Sequence, residues 1–451
     1  MDAPDHRKRP ISLRQIARTW WPLAFSWLLM AAELPGLSAI VARLPDPKIN
    51  LAAWGVVYAV ALVIESPIVM LLSASTALSK DWDSYRKIRR FALWMGAILT
   101  ALHAALVFTP LYYTVVIGLI RPPAEIVEPV RVGLALMLPW SWAIGYRRFN
   151  QGVLIRFGHS RAIGLGTLIR LAADSIVLTV GYSLQTVPGI VVAAIAITAG
   201  VLSELLYVYL RTRPVIRNQV RIAPLVERQL TLRSFAAFYL PLVATSLFSL
   251  LRQSVGAAAL SRMPQALESL AIWPVAMGLV WMQCSLGTAF NEVVVTYLDE
   301  PGTFQYLRVF RRILVLSSLG IAVAVAATPL SSVWFVNIAA LPVSLVVLAK
   351  SSLWTSMLTP GLAVWQSWYQ GALLHSRRTR GITESVAVSM LTNIAILGAG
   401  ILWGQVPGLY VGLAGYNLGA IIQLVWLRWR ALSAVRAVEQ DALLQHAQPA
   451  I

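Results

Sequence analysis

The residues most able to do chemistry here are the few ionisable ones inside apolar stretches, where a charge is expensive and is kept for a reason. Glu33 and Arg252 stand 219 residues apart in the chain. Arg252 offers a planar fork of donors suited to a carboxylate or phosphate. Glu33 is expected to pair with it when no anion is bound, a permanent ion pair being the other reading. Arg170 and Asp174 are four apart, the spacing that puts both on one helical face and lets them neutralise each other. Lys350 has no acidic residue three or four positions away and is a candidate anion ligand, unless its ammonium snorkels to the interface. Arg131 has only Glu128 at such a spacing. Arg147 and Arg148 close a span, where they either line the mouth of a site or simply set the charge bias between the two sides. The expected substrate-binding set is therefore Arg252, Glu33, Lys350, Arg131, Arg147 and Arg170.

A carboxylate in low-dielectric surroundings can take up a proton or a cation, or can stay a neutral hydrogen-bonded acid. Glu33, Glu65 and Asp174 are the ion-coupling candidates, with Glu204 and Glu292 behind them. Glu65 lies two residues before Pro67, whose missing N–H frees backbone carbonyls and makes a small polar pocket conceivable. Other chemistries find no support. Cys284 is single, so no intramolecular disulfide forms, and the five histidines show no HxxxH or HExxH spacing. No GxxxxGK[ST] string and no nucleophile–base set occurs, so neither an enzyme, a metal nor a cofactor is expected.

The elements that must position these residues are membrane helices. Of 451 residues, 58% are hydrophobic and 12% charged, with mean hydropathy +0.70. A soluble chain carries about a quarter charged residues, so the apolar excess is spread over many crossings of about 20 residues rather than held in one anchor. Twelve spans are predicted, near 20–42, 51–79, 91–109, 127–149, 162–182, 189–210, 235–260, 268–297, 313–330, 340–370, 382–402 and 407–427. Pro35, Pro67, Pro139, Pro274 and Pro360 predict tilted or kinked helices. The basic segment ahead of the first span is read as flanking a retained helix rather than a signal peptide, because the apolar run is too long and lacks a small-residue cleavage site.

The net charge of +18 invites a nucleic-acid reading, but the basic residues sit between spans. With the N-terminus inside, 29 of the 37 Lys and Arg fall on the inner side, five on the outer (Arg43, Lys48, Arg121, Arg131, Arg262) and three within spans. That is the bias insertion and anionic lipid require, so the expected partners are membrane lipids and a small anionic substrate, not nucleic acid. The chain is expected in a plasma or inner membrane with both termini cytoplasmic. Tryptophans at span ends (Trp20, Trp21, Trp334, Trp403, Trp426, Trp429) act as interfacial anchors.

The shift of 219 residues recurs throughout. Pro22-Leu23 returns as Pro241-Leu242, Arg43 and Pro45 as Arg262 and Pro264, Thr109-Pro110-Leu111 as Thr328-Pro329-Leu330, and Val187-Pro188-Gly189 as Val406-Pro407-Gly408. Six helices per unit is even, so the units run parallel about an axis along the membrane normal. The organisation read from this is a first six-helix lobe (1–210), a basic linker (211–233) with an amphipathic stretch lying on the inner surface, a second lobe (234–430) and a short tail (431–451). A cleft between the lobes on that axis would give alternating access. One chain already contains both lobes, so a monomer is expected.

The motifs also carry a resemblance. Trp21-Pro22-Leu23, Leu51-Ala52-Ala53-Trp54-Gly55 with Tyr58 and Pro67, and Pro139 followed by Gln151-Gly152 mark the first half. Phe238-Tyr239-Leu240-Pro241-Leu242, Arg252 with Leu260-Ser261-Arg262, Trp273-Pro274-Val275 and Pro407-Gly408-Leu409-Tyr410-Val411-Gly412 mark the second. Over nearly its whole length the chain resembles the multidrug, oligosaccharidyl-lipid and polysaccharide (MOP) flippase superfamily, and within it the progressive ankylosis family. It departs from that family's animal members in lacking a long acidic C-terminal tail. The resemblance implies a MATE-like all-α polytopic fold and export of small polyanions such as pyrophosphate, citrate or nucleotide phosphates. A lipid-linked saccharide flippase and a proton- or sodium-coupled multidrug antiporter are the alternatives within the same superfamily.

Overall fold

The computed structural model describes residues 12–159, 161–225, 230–298, 300, 303–376, 378 and 380–447. Arg7, Lys8, Arg9, Arg228 and Arg377, counted above on the inner side, lie outside these residues. The described chain is helical without a strand: α1 (Leu13–Val41), α2 (Pro47–Leu78), α3 (Trp82–Phe108), α4a (Val127–Leu136), α4b (Leu138–Arg156), α5 (Arg161–Leu184) and α6 (Gly189–Val220), then α7 (Leu232–Leu260), α8 (Ala266–Tyr297), α9 (Thr303–Ala327), α10a (Val343–Ser352), α10b (Thr359–His375), α11 (Arg380–Trp403) and α12 (Gly408–Ala447). Ten are long and apolar enough to cross a bilayer unbroken, which makes the chain an integral multi-pass membrane protein.

The fourth and tenth spans are each broken in two, with Pro139 and Pro360 opening the second piece. A break exposes carbonyls that lipid cannot satisfy. Thr198 donates to the Leu136 carbonyl at 3.4 Å and Asn417 to the Thr355 carbonyl at 2.9 Å, so both breaks are caught by polar side chains 219 residues apart. In α2, Pro67 deprives the Val63 carbonyl of its helical partner, and the Ser66 hydroxyl donates to it instead at 2.8 Å.

The repeat holds at the level of backbone conformation. Left-handed residues are costly outside glycine, yet they recur in pairs: Asp46 (φ 51°) and Gln265 (54°), Arg121 (56°) and Ala340 (49°), Gln185 (53°) and Gly404 (62°). Each pair is 219 apart. The chain is therefore two copies of one six-helix scaffold.

Each copy lends its first helix to the other. Trp20 in α1 donates to the Leu286 carbonyl of α8 at 3.0 Å, and Tyr239 in α7, at the equivalent position, donates to the Pro67 carbonyl of α2. Ser246 and Ser254 add bonds of 2.6 Å to the Ser66 and Ala59 carbonyls. The N-terminal part of α1 belongs to a hydrophobic core of the second half, where Ile16 packs with Phe290, Phe310, Trp368 and Leu427. The start of α1 and the C-terminal part of α12 thus lie on one face, called here the termini face.

Two expectations change. Residues 211–220 continue α6 as helix and do not begin a separate surface stretch, because Pro214 is accommodated inside the helix and the break comes only near Pro224. Likewise α12 continues into the segment read as a tail, to Ala447. The two halves also touch closely beside the pseudo-axis. Pro35 of α1 abuts Gly278 of α8, where an added Cβ would lie 2.5 Å from the proline ring, and Gly55 of α2 meets the Leu270 carbonyl. Small residues at such crossings let helices approach closely.

Candidate functional site

In the first half, α1, α2, α4b, α5 and α6 bring seven ionisable side chains together. Arg170 donates to Glu33 at 2.6 Å and its Nε lies 3.8 Å from Glu204. Arg147 pairs with Glu204, the two side chains being 4% and 1% exposed. Gln151 adds a hydrogen bond to Glu204 at 2.8 Å. Arg148 and Arg147 lie close enough to Glu65 to stabilise its charge. Asp174 sits beside Glu33, and neither of its carboxylate oxygens has a hydrogen-bond donor; Glu65 Oε2 and Glu33 Oε1 also have none. Four carboxylates face three guanidiniums, so one negative charge is in excess when all are ionised.

Glu33 does not pair with Arg252. The pseudo-axis relates the two positions without making them neighbours, and each is turned into its own half, Glu33 towards α5 and Arg252 towards α11 and α12. Arg170 and Asp174 share a face as their spacing requires, but the Arg170 guanidinium reaches Glu33 instead.

The second half holds a cavity of about 540 Å³ among α7, α8, α10b, α11 and α12, with Trp27 of α1 at its edge. Among the described residues, Arg252 is the only arginine or lysine lining it. Its guanidinium donates to the Tyr416 hydroxyl at 2.6 Å, lies 4.1 Å from the Tyr416 ring centroid and reaches Ser389 at 3.4 Å. Among the described residues it has no carboxylate partner. Glu292 at the rim accepts from Trp27 Nε1 at 3.3 Å.

The two sites occupy the same positions of the repeat. Shifting Glu33, Glu65, Arg147, Arg148, Arg170, Asp174 and Glu204 by 219 gives Arg252, Cys284, Gln366, Ser367, Ser389, Asn393 and Gln423. All but Ser389 line the cavity, and Ser389 touches Arg252. One half fills these positions with charge; the other keeps them neutral around a single arginine.

Lys350 and Arg131 stand outside both sites. Lys350 donates to Ser332 at 2.9 Å. Arg131 donates to the Val107 carbonyl at 2.9 Å and to Tyr113 at 3.2 Å, over the Tyr112 and Tyr113 rings. Sequence reasoning singled out most of the charges but not Tyr416, Ser389 or the neutral cavity wall, although carrying each charge through the 219 shift would have found that wall.

On the face away from the termini, the wide helical turns Thr114–Ile120 and Val333–Ile338 end against arginines of the opposite half. Arg43 donates to the Ile338 and Asn337 carbonyls at 2.7 and 2.5 Å; Arg262, its repeat partner, donates to the Leu119 carbonyl, and Ser261 to that of Ile120. Lys48 and Glu268 bridge the halves at 2.7 Å. This face is closed.

No family model matches the chain, and no curated protein matches it. Solved structures do. The chain is similar to the inward-facing conformation of a multidrug resistance MATE family transporter of the MOP superfamily (TM-score 0.73, 13% identity, 94% of this chain and 99% of that one). It is also similar to the lipid II flippase MurJ in an inward closed conformation (0.70, 13%, 94% and 91%) and to an outward-facing MATE family transporter (0.57, 15%, 96% and 100%). The chain therefore has the MATE/MOP transporter fold, in two six-helix repeats.

Proposed function

We propose that the chain is an alternating-access secondary transporter of organic anions, with the substrate held at Arg252 in the second-half cavity. The carrying observation is Arg252 itself, a cavity guanidinium that pairs with no carboxylate among the described residues, the cavity's Glu292 accepting from Trp27 instead; an anion supplies that partner through charge-assisted hydrogen bonds. The cavity's single cation and its aromatic walls (Trp27, Trp273, Trp281) favour an anion with one charged group on a partly apolar body. Pyrophosphate and citrate, which the resemblance to the progressive ankylosis family implies, would leave most of their charge unmatched there. The seven charges of the first half serve the coupling ion: the excess negative charge at Glu33, Glu65 and Asp174 suits a proton or a sodium ion. The charge bias assigns the termini face to the cytoplasm. A multidrug antiporter is the second reading, favoured by the same aromatic walls.

The test is uptake of labelled organic anions, pyrophosphate and citrate among them, into proteoliposomes, for wild type, Arg252→Ala and Arg252→Lys. Saturable anion uptake lost in the alanine variant and weakened in KM by lysine is expected. Uptake of cationic dyes but of no anion, unchanged in both variants, would refute the reading.

A further inference from the structure

Away from both sites, a crevice of about 410 Å³ opens at the termini face between the start of α9, the end of α10b and the extension of α12. Arg308, Arg311, Arg428 and Arg436 line it, and no acidic residue among the described ones does. Arg311 is 7% exposed, its Nε has no hydrogen-bond partner, and its guanidinium stacks 3.8 Å from the Trp365 ring centroid and 4.7 Å from that of Trp368. A guanidinium this buried is stacked but not neutralised, and it presents unused donors to the crevice.

The fold does not require all of these charges: Arg436 keeps an arginine, Arg217, as its repeat partner, but Arg311 and Arg428 do not. The 219 shift maps Arg308, Arg311, Trp365 and Arg428 onto Arg89, Ala92, Tyr146 and Tyr209. There the first half forms a groove with one arginine, Arg89, whose Nε donates to Tyr146 at 3.4 Å. The second half therefore adds two cations at positions its twin fills with alanine and tyrosine. Converging donors of this kind are what a phosphate group takes.

We infer that the crevice binds a phosphate group presented by an anionic phospholipid of the leaflet on the termini face. The surroundings point to a lipid rather than a dissolved phosphate. Beside the crevice-lining Arg428, Leu432 and Arg436, α12 exposes Val425 and Trp429. An apolar strip leading to a basic pocket at a helix end places a headgroup at the arginines and its acyl chains along α12. The site is separate from the Arg252 cavity and does not rest on the transport reading.

The experiment uses the full chain in a neutral maltoside detergent, titrated with phosphatidylglycerol, phosphatidylcholine or inorganic phosphate, and read by native mass spectrometry and by the thermal unfolding midpoint. Phosphatidylglycerol is expected to bind at least tenfold more tightly than phosphatidylcholine and to raise the midpoint. Arg428→Gln with Arg436→Gln, both exposed positions, should erase that preference, whereas Arg89→Gln in the first half should keep it. Equal binding of the two lipids, or a preference that survives the double substitution, overturns the inference. Protection by inorganic phosphate with no lipid preference overturns the lipid as the source of the phosphate.

Discussion

Replacing Arg147 and Glu204 one at a time and then together separates the worth of the buried pair from the cost of stranding a charge. Neither side chain is solvated, at 4% and 1% exposure. Removing one partner of a buried pair costs about 3–5 kcal/mol, because the other charge is left uncompensated. Arg147→Gln leaves Glu204 with the Gln151 amide at 2.8 Å and Arg170 Nε at 3.8 Å. Its loss should fall near the lower end, about 3 kcal/mol. Glu204→Gln strips Arg147 of its only ion-pair partner among the described residues and should fall near the upper end, about 5 kcal/mol. The double variant strands nothing, and it installs the Gln366 and Gln423 pair that the second half already carries at these positions. A loss of about 2 kcal/mol or less is expected for it, several kcal/mol short of the two single losses combined. The assay is equilibrium unfolding of the four proteins in mixed micelles. Because the substitution removes one charge of each sign, the excess negative charge is untouched, and ion-dependent transport should persist in the double variant. Single effects that add to the double within about 0.5 kcal/mol would show that the charges are solvated and independent, and the reasoning would fail.

Two further predictions concern the machinery around the sites. Gly200 of α6 faces Asp174, and a Cβ there would overlap the carboxylate; Gly200→Ala should displace Asp174 and abolish dependence on the driving ion while the folded protein is still recovered, and unaltered ion dependence would count against Asp174 as part of the coupling site. On the closed face, Arg43→Ala with Arg262→Ala removes hydrogen bonds from a charged donor worth about 1.5–3 kcal/mol each before solvent screening, so a conservative shift of about 1.4–2.8 kcal/mol moves the population towards opening by about 10–100-fold. A cysteine at Ala42, on a Cys284→Ser background, should then react correspondingly faster with an impermeant maleimide; equal rates would refute the closure.

Much of the fold was legible because its signals are local or periodic. Apolar runs mark crossings, and the register of 219 survives in short motifs such as Thr109-Pro110-Leu111 and Thr328-Pro329-Leu330. The breaks in the fourth and tenth spans were hidden, because a polar side chain on another helix, Thr198 or Asn417, is what makes each tolerable. The candidate site was half legible for the same reason. An ionisable residue in an apolar run announces itself, so Glu33, Glu65, Arg170, Asp174 and Arg252 could be named, but its partner depends on which helices touch. Repeat symmetry suggested Glu33 with Arg252, whereas a symmetry axis fixes equivalence and not proximity. What distinguishes the halves is the pattern at equivalent positions, seven charged residues in one and a single charge in the other. On a scaffold this symmetric, the closing contacts of Arg43 and Arg262 act alike on both halves. A bias tied to ion or substrate must come from the residues that differ, since only a ligand with unequal affinity for two states can shift them.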